Sequence, residues 1–413
     1  MKKNVLIIPP FNPYPLISGG HQAIYNGIAI LENIANVYLL VPVTESQYKR
    51  NEHRAIVNVL PFVHVTPFIL PSSRHTIKWY INTFKNKYCK RWMKIKDNIS
   101  PHIKQSLIIN DLIGDTWEEE CQLVKQLIEK YNIDIVQCEM VPKLTISKVI
   151  PRNVKAIFVH HELRFVRNNL IAQQAGYITD ENKLLLSEDK KREIDYLNQY
   201  DEIVTLSHID TEKLLEAGVK RPIRTSMAVV REQKEYVLDV EAKKVLTFIG
   251  PEFHAPNYEG VMWFLNNCWD KLLREDEEFR LQIIGKWSDE TKRRLEVEFH
   301  NVFCRGYVDD ISNALAGTTM IVPILVGSGI RMKILEAAQL KVPVVTTTVG
   351  AEGLPLVSER DAYIVDSAKE FVDSILKLQD RELRESFIDN ISAKILPLYS
   401  MSALEQNRKE LYI

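Results

Sequence analysis

Two successive series of short Val- and Ile-rich runs limit what this chain can fold into more than any other feature. The first comprises VLIIP (Val5–Pro9), VYLLVP (Val37–Pro42), IDIVQ (Ile133–Gln137), AIFVH (Ala156–His160) and EIVTL (Glu202–Leu206). The second comprises VLTFIG (Val245–Gly250), RLQIIG (Arg280–Gly285), NVFCRG (Asn301–Gly306), MIVPI (Met320–Ile324) and VPVVTT (Val342–Thr347). Strands that stay apolar throughout, separated by segments of helical period, indicate parallel sheets covered on both faces, the doubly wound arrangement. Between the series, Pro222–Lys244 is charged and lacks a clean period, as a linker between two α/β domains would be. The boundary is placed near residue 235, giving a first domain over 1–235 and a second over 236–395. A length of 413 residues, long for one core, agrees.

Composition removes several function classes. The net charge of −1 creates no global field that would select nucleic acid or a membrane as partner. No apolar run approaches the roughly 20 residues that cross a bilayer. MKKNVLIIPPF at the start lacks a small-residue cleavage site and reads as a first strand, so a cytoplasmic protein is expected. The five cysteines are scattered singly, which points to neither a disulfide framework nor a zinc site.

One segment interrupts the first series. Over Arg74–Asn98, Ile77, Ile81, Phe84, Tyr88, Trp92 and Ile95 recur at helical steps, with Lys78, Lys85, Lys90, Arg91 and Lys94 mostly on the other faces. Such a helix either packs on the core or lies on an anionic surface, so residues 74–98 are a candidate for peripheral contact at the inner membrane surface.

The chemistry concentrates after MIVPI. That strand runs into a Gly327-Ser328-Gly329 loop and then a helix predicted from about Ile330 to Leu340, with Arg331 and Lys333 in its first turn. Glycines let a backbone approach a ligand, and free N–H groups at a helix start hold anions. Cations there oppose the helix dipole unless an anion is bound, which makes a diphosphate the expected ligand. Glu336, one turn on, can accept hydrogen bonds from a vicinal diol or simply pair with Lys333.

The run Pro323–Leu354, preceded in order by Phe248–Trp269, LQIIGKW and NVFCRGYVDDIS (Asn301–Ser312), resembles the carboxyl-terminal signature of glycosyltransferase family 4, group 1, with the GT-B fold. The first domain matches more loosely, through Pro9–Gln22 and Tyr200–Leu214. The resemblance implies two Rossmann-like domains facing a central cleft and a sugar transfer, with retention at the anomeric carbon, from a nucleotide-diphosphate sugar to a glycan, lipid-linked or protein acceptor. By similarity Glu336 would hold the donor ribose, and the Gly327, Ser328 and Gly329 amides with Arg331 or Lys333 the diphosphate. Gly306 and Tyr307 would lie near the base, Ala351, Glu352 and Gly353 near the sugar or its phosphates, and Gly19 and Gly20 across the cleft. The last helix, 396–413, would cross back to the first domain.

No two aspartates are separated by a single residue, so neither metal nor other cofactor is expected. Ser328 stands where related enzymes often carry a Glu eight residues before the ribose-binding one, and Pro251–His254 where many carry a basic residue. His160 and His161 end a strand facing the presumed cleft, where either could shuttle the acceptor proton or be held by loop carbonyls. Glu139 and Glu193 are weaker candidates. A nucleotide-sugar epimerase of the same fold, or a non-catalytic subunit, is the competing reading.

Overall fold

The computed structural model describes residues 2–71, 112–174, 179–227, 229, 239, 241–308, 311–327 and 330–413. The amphipathic segment 74–98 therefore lies outside the described residues. In the first domain the strands are β1 (Lys3–Ile8), β2 (Ala35–Val43), β3 (Val63–Ile69), β4 (Ile135–Glu139), β5 (Lys155–His160), β6 (Glu202–Thr205) and β7 (Ile223–Thr225). In the second they are β8 (Val245–Ile249), β9 (Arg280–Ile284), β10 (Val302–Gly306), β11 (Thr319–Val322), β12 (Val344–Thr346) and β13 (Tyr363–Ile364).

These build two sheets, ordered β3-β2-β1-β4-β5-β6-β7 and β10-β9-β8-β11-β12-β13. Every strand pairing in them is parallel. The central strands β4 and β11 are buried at every residue, as strands covered on both faces must be. β3, β7 and β13 escape the apolar pattern because they lie at or near sheet edges: β3 carries His64, Thr66 and Pro67, and β13 has only 2 residues. The two α/β sheets have the doubly wound form of the GT-B arrangement.

Strand order reverses between β1 and β4 in one sheet and between β8 and β11 in the other. Loops leaving the carboxyl ends of such neighbours diverge and open a crevice. The loops at those two points carry Gly19 and Gly20, Met140, Gly250 and Gly327. Close packing holds them in place. A Cβ on Gly260, in the helix Ala255–Phe264, would come within 2.5 Å of the Pro323 carbonyl oxygen just after β11. Gly285 has φ +135, and a Cβ there would come within 2.5 Å of the Gly250 oxygen.

The end of the chain ties the two domains together. The helix Arg381–Leu398 packs on the helix Met332–Gln339, where Ser392 Oγ donates to the Ala338 oxygen at 2.9 Å. Fully buried Arg384 anchors it by donating to the Thr318 carbonyl, and to Thr319 Oγ1 at 3.1 Å. The helix Met401–Arg408 and the turn Lys409–Tyr412 then lie on the first domain. There Arg408 Nε donates to Ser226 Oγ at 2.8 Å, and Lys155 Nζ donates to the Leu411 oxygen at 3.0 Å.

The Gly260 contact generates a prediction. Gly260→Ala should destabilise the second domain by about 2 kcal/mol through overpacking, seen as a melting temperature lowered by several degrees.

Candidate functional site

The two domains meet helix start to helix start. Gly19 opens the helix Gly19–Ala29, whose N-cap is Ser18, and a Cβ on Gly19 would stand 2.7 Å from Met332 Cγ. Met332 opens the opposing helix Met332–Gln339, whose N-cap residue Arg331 makes no side-chain capping bond and whose first turn holds no acidic residue. Two positive dipole ends thus converge on one crevice. Gly20 lies on the other wall, where a Cβ would come within 2.9 Å of Met140 Cε, just past β4.

Three charged side chains of the second helix face this crevice at a cost. Lys333 Nζ donates to Asn257 Oδ1 at 2.9 Å and stands 4.0 Å from the centre of the Phe248 ring. Burial, with the neighbouring Arg331 charge, lowers its pKa from 10.5 to about 7. Burial also depresses Arg331, which Glu162, Glu352 and Asp210 partly counter; its Nη2 donates to the Val349 oxygen at 3.4 Å. Glu336 is raised above the ordinary carboxylate value, first by burial, against the hydrogen bond that Gln22 Nε2 donates to its Oε1 at 2.7 Å. That bond crosses between the domains.

Further contacts close the crevice. Lys213 of the first domain is ion-paired with Glu352 of the second. Gly353 has φ +83, and a Cβ there would stand 3.0 Å from Ser207 Cβ. Ala351 is buried in the same turn. Glu162 forms an ion pair with Arg167 at 2.9 Å; burial raises its pKa while Arg164 and Arg331 oppose the shift. His254, an exposed residue beside them, has its pKa lowered to about 4 by partial desolvation and then by the charges of Lys333, Arg331 and Arg167.

The two histidines separate. His160 is sealed in the first domain with Nε2 2.8 Å from Glu193 Oε1, while Glu193 accepts from the Arg164 and Phe165 amides at 3.3 and 3.1 Å. That arrangement caps a helix and leaves His160 with no access to solvent. His161 instead has Nε2 2.6 Å from Glu139 Oε2, and its side chain is 7% exposed. Its neighbours in the chain and the fold, Glu162 and Met140, touch the crevice.

Gly19, Gly20, Gly327, Arg331, Lys333, Glu336, Glu352 and Gly353 therefore line one crevice, with Ala351 behind them. A Cβ on Gly327 would stand 3.0 Å from Arg331 Nη2, so the glycine admits the guanidinium. Ser328 and Gly329 lie outside the described residues. Gly306 ends β10 beside Gly285, to whose amide it accepts at 2.8 Å, and Tyr307 is 76% exposed; neither makes a described contact with the charged cluster. Sequence reasoning missed Gln22, Asn257, Glu162 and His254. Only Gln22 carried a signal, three residues into the glycine-opened helix. Among the described residues no group of three His, Cys, Asp or Glu side chains could hold a metal ion, and no helix is long and apolar enough to cross a membrane.

The fold is the GT-B arrangement of two doubly wound domains. More narrowly, residues 243–381, in the second domain, match the family model of Glycosyl transferases group 1. A protein of Klebsiella pneumoniae described as an uncharacterized 44.6 kDa protein in cps region is 23% identical over 242 residues, 55% of this chain and 60% of that one. Thus the match spans less than two thirds of that relative's length. TarM of S. aureus, solved with UDP, alpha-GlcNAc-glycerol and Fondaparinux, superposes with a TM-score of 0.66 at 13% identity over 100% of both chains. HepE of Anabaena, solved with UDP, gives a TM-score of 0.63 at 10% identity over 99% of both. At these identities the likeness is one of fold.

The perturbed lysine generates a prediction for the ligand-free protein. Lys333 loses its proton near pH 7 when folded and near pH 10.5 when unfolded, so between these values the unfolded chain binds more protons and stability rises with pH. Relative to Lys333→Met, wild type should gain melting temperature as pH rises from about 7 toward 10; parallel curves would contradict the shift.

Proposed function

We propose that this protein transfers a sugar from a nucleotide-diphosphate sugar to a glycan, lipid-linked or protein acceptor, with retention at the anomeric carbon and without a metal. The observation that carries the reading is the uncapped helix start at Arg331, facing Gly19 across the crevice, with Arg331 and Lys333 desolvated beside it. A fold that buries two like charges at a positive dipole end meets a strong destabilising field unless an anion shares the site. A diphosphate fits that requirement. As the bond to the sugar breaks, negative charge grows on the diphosphate, and fixed N–H groups, guanidinium and ammonium stabilise it where it forms.

Glu336 then has a place for the ribose. The hydroxyls of a ribose take over the carboxylate that Gln22 occupies, and the Gln22 amide is released into the crevice. The structures of TarM and HepE hold UDP, which makes a UDP-sugar the first donor to test. The TarM structure, with its alpha-GlcNAc-glycerol, supports a glycan acceptor. A cytoplasmic site of action, with residues 74–98 touching the inner membrane surface, suits a lipid-linked acceptor and is part of the same reading.

A thermal-shift panel of UDP-, GDP- and ADP-sugars tests the donor. At 100 times its dissociation constant, a ligand adds about 2.7 kcal/mol to stability, a clear rise in melting temperature. Wild type should respond to one base class, and Glu336→Ala should lose most of that response. No response to any of them would contradict the proposal.

Binding should also carry a pH signature. Diphosphate favours charged Lys333, whose free pKa is about 7, so UDP binding takes up a proton above that pH. Affinity should fall by up to about tenfold per pH unit above pH 7. In Lys333→Arg that slope should vanish, which separates it from titration of the phosphate itself.

A further inference from the structure

Behind His161 a file of buried polar side chains leads away from the crevice. Tyr412 OH donates to Gln137 Oε1 at 2.5 Å, Gln137 Nε2 donates to Glu139 Oε1 at 2.6 Å, and Glu139 Oε2 stands 2.6 Å from His161 Nε2. Tyr412, Gln137 and Glu139 are each no more than 1% exposed. Burial pushes the Tyr412 phenol up, so it keeps its proton and donates. That donation fixes which end of the Gln137 amide faces Glu139, and the amide N–H fixes one carboxylate oxygen. A carboxylate can only accept, so the His161 ring turns an Nε2–H toward Glu139.

We infer that Tyr412, Gln137 and Glu139 are positioning residues, a buried relay by which the end of the chain sets the tautomer and orientation of His161 for a substrate hydroxyl. Gln137 and Glu139 lie two apart on β4 and so share one face of the strand, and His161 follows directly on the neighbouring β5. Tyr412 arrives from the other domain. The segment that carries it starts in the helix packed on Met332–Gln339, and on the way Arg408 Nη1 passes 3.0 Å from where a Gly27 Cβ would stand. Gly27 belongs to the same helix as Gly19. Docking of the chain end and readiness of His161 are thus joined by three hydrogen bonds with no solvent between them.

The contrast with His160 shows that burial alone does not explain the file. His160 is held by Glu193, which also accepts from the Arg164 and Phe165 amides at the start of the next helix. His161 is held by a carboxylate whose next partners cross the domain. Gln137 supplies a neutral donor to Glu139, and Tyr412, which also meets the Arg408 guanidinium, orients Gln137.

The inference rests on the proposed transferase reading for the use of His161, yet its test can be read without turnover. Histidine-labelled protein is examined by long-range proton–nitrogen NMR, with His161→Gln to assign the signal. Wild type should show His161 as the Nε2–H tautomer. Tyr412→Phe, and independently Gln137→Met, should shift or split the His161 signals while leaving those of His160 in place. In parallel, with UDP-glucose as donor probe and UDP release as readout, Tyr412→Phe should lower kcat about tenfold with KM within about twofold. An unchanged His161 spectrum in both variants overturns the relay, as does equal disturbance of His160, which would mean general loosening. If wild type releases no UDP from UDP-glucose while the spectra change as described, the donor assignment fails and the relay stands.

Discussion

Parallel sheets send every crossover helix back with its positive end toward the carboxyl edge of the strands, and in this chain two such edges are docked against each other. Gly19 and Met332 approach closely there, and the missing Cβ allows it. The result is a crevice whose field is positive before any side chain is counted. Arg331 and Lys333 deepen that field, and burial with the Arg331 charge lowers the Lys333 pKa to about 7. Everything else in the crevice offsets this strain in part: Asn257 and the Phe248 ring on Lys333, and Glu162 and Glu352 near Arg331. A site held this way favours an anion with two charges over a neutral ligand.

The same docking explains why the domains stay closed around the crevice. Gln22 on Glu336 and Lys213 on Glu352 each join one domain to the other, and both use carboxylates of the crevice. These contacts are partly exposed and individually weak, so a ligand can replace them without a large penalty. The chain end supplies the firmer connection, through Arg384 in the second domain and Arg408 and Tyr412 in the first.

How far the sequence disclosed this depended on the range of each interaction. The α/β alternation and the Gly327–Glu336 pattern were legible because helix starts, glycine loops and apolar strands are governed by neighbours in the chain. Gln22, Asn257, Glu162 and His254 were not, since their partners lie far away in the chain, across the domains for Gln22 and Glu162 and across the second domain for Asn257 and His254. Adjacent His160 and His161 illustrate the limit well. One residue apart at the exit of β5, they leave on different sides, one to Glu193 in the interior and the other to Glu139 beside the crevice. Short strands such as β13, with 2 residues, were invisible because they bury too little to leave a periodic mark.

The most direct measurement is a crystal structure of the protein with UDP. The account predicts a diphosphate in the crevice, with phosphate oxygens about 3 Å from the Arg331 guanidinium and from first-turn amides of the Met332–Gln339 helix, and ribose hydroxyls on Glu336 in place of Gln22. A nucleotide bound elsewhere, with Gln22 still on Glu336 and no phosphate near Arg331 or Lys333, would contradict it.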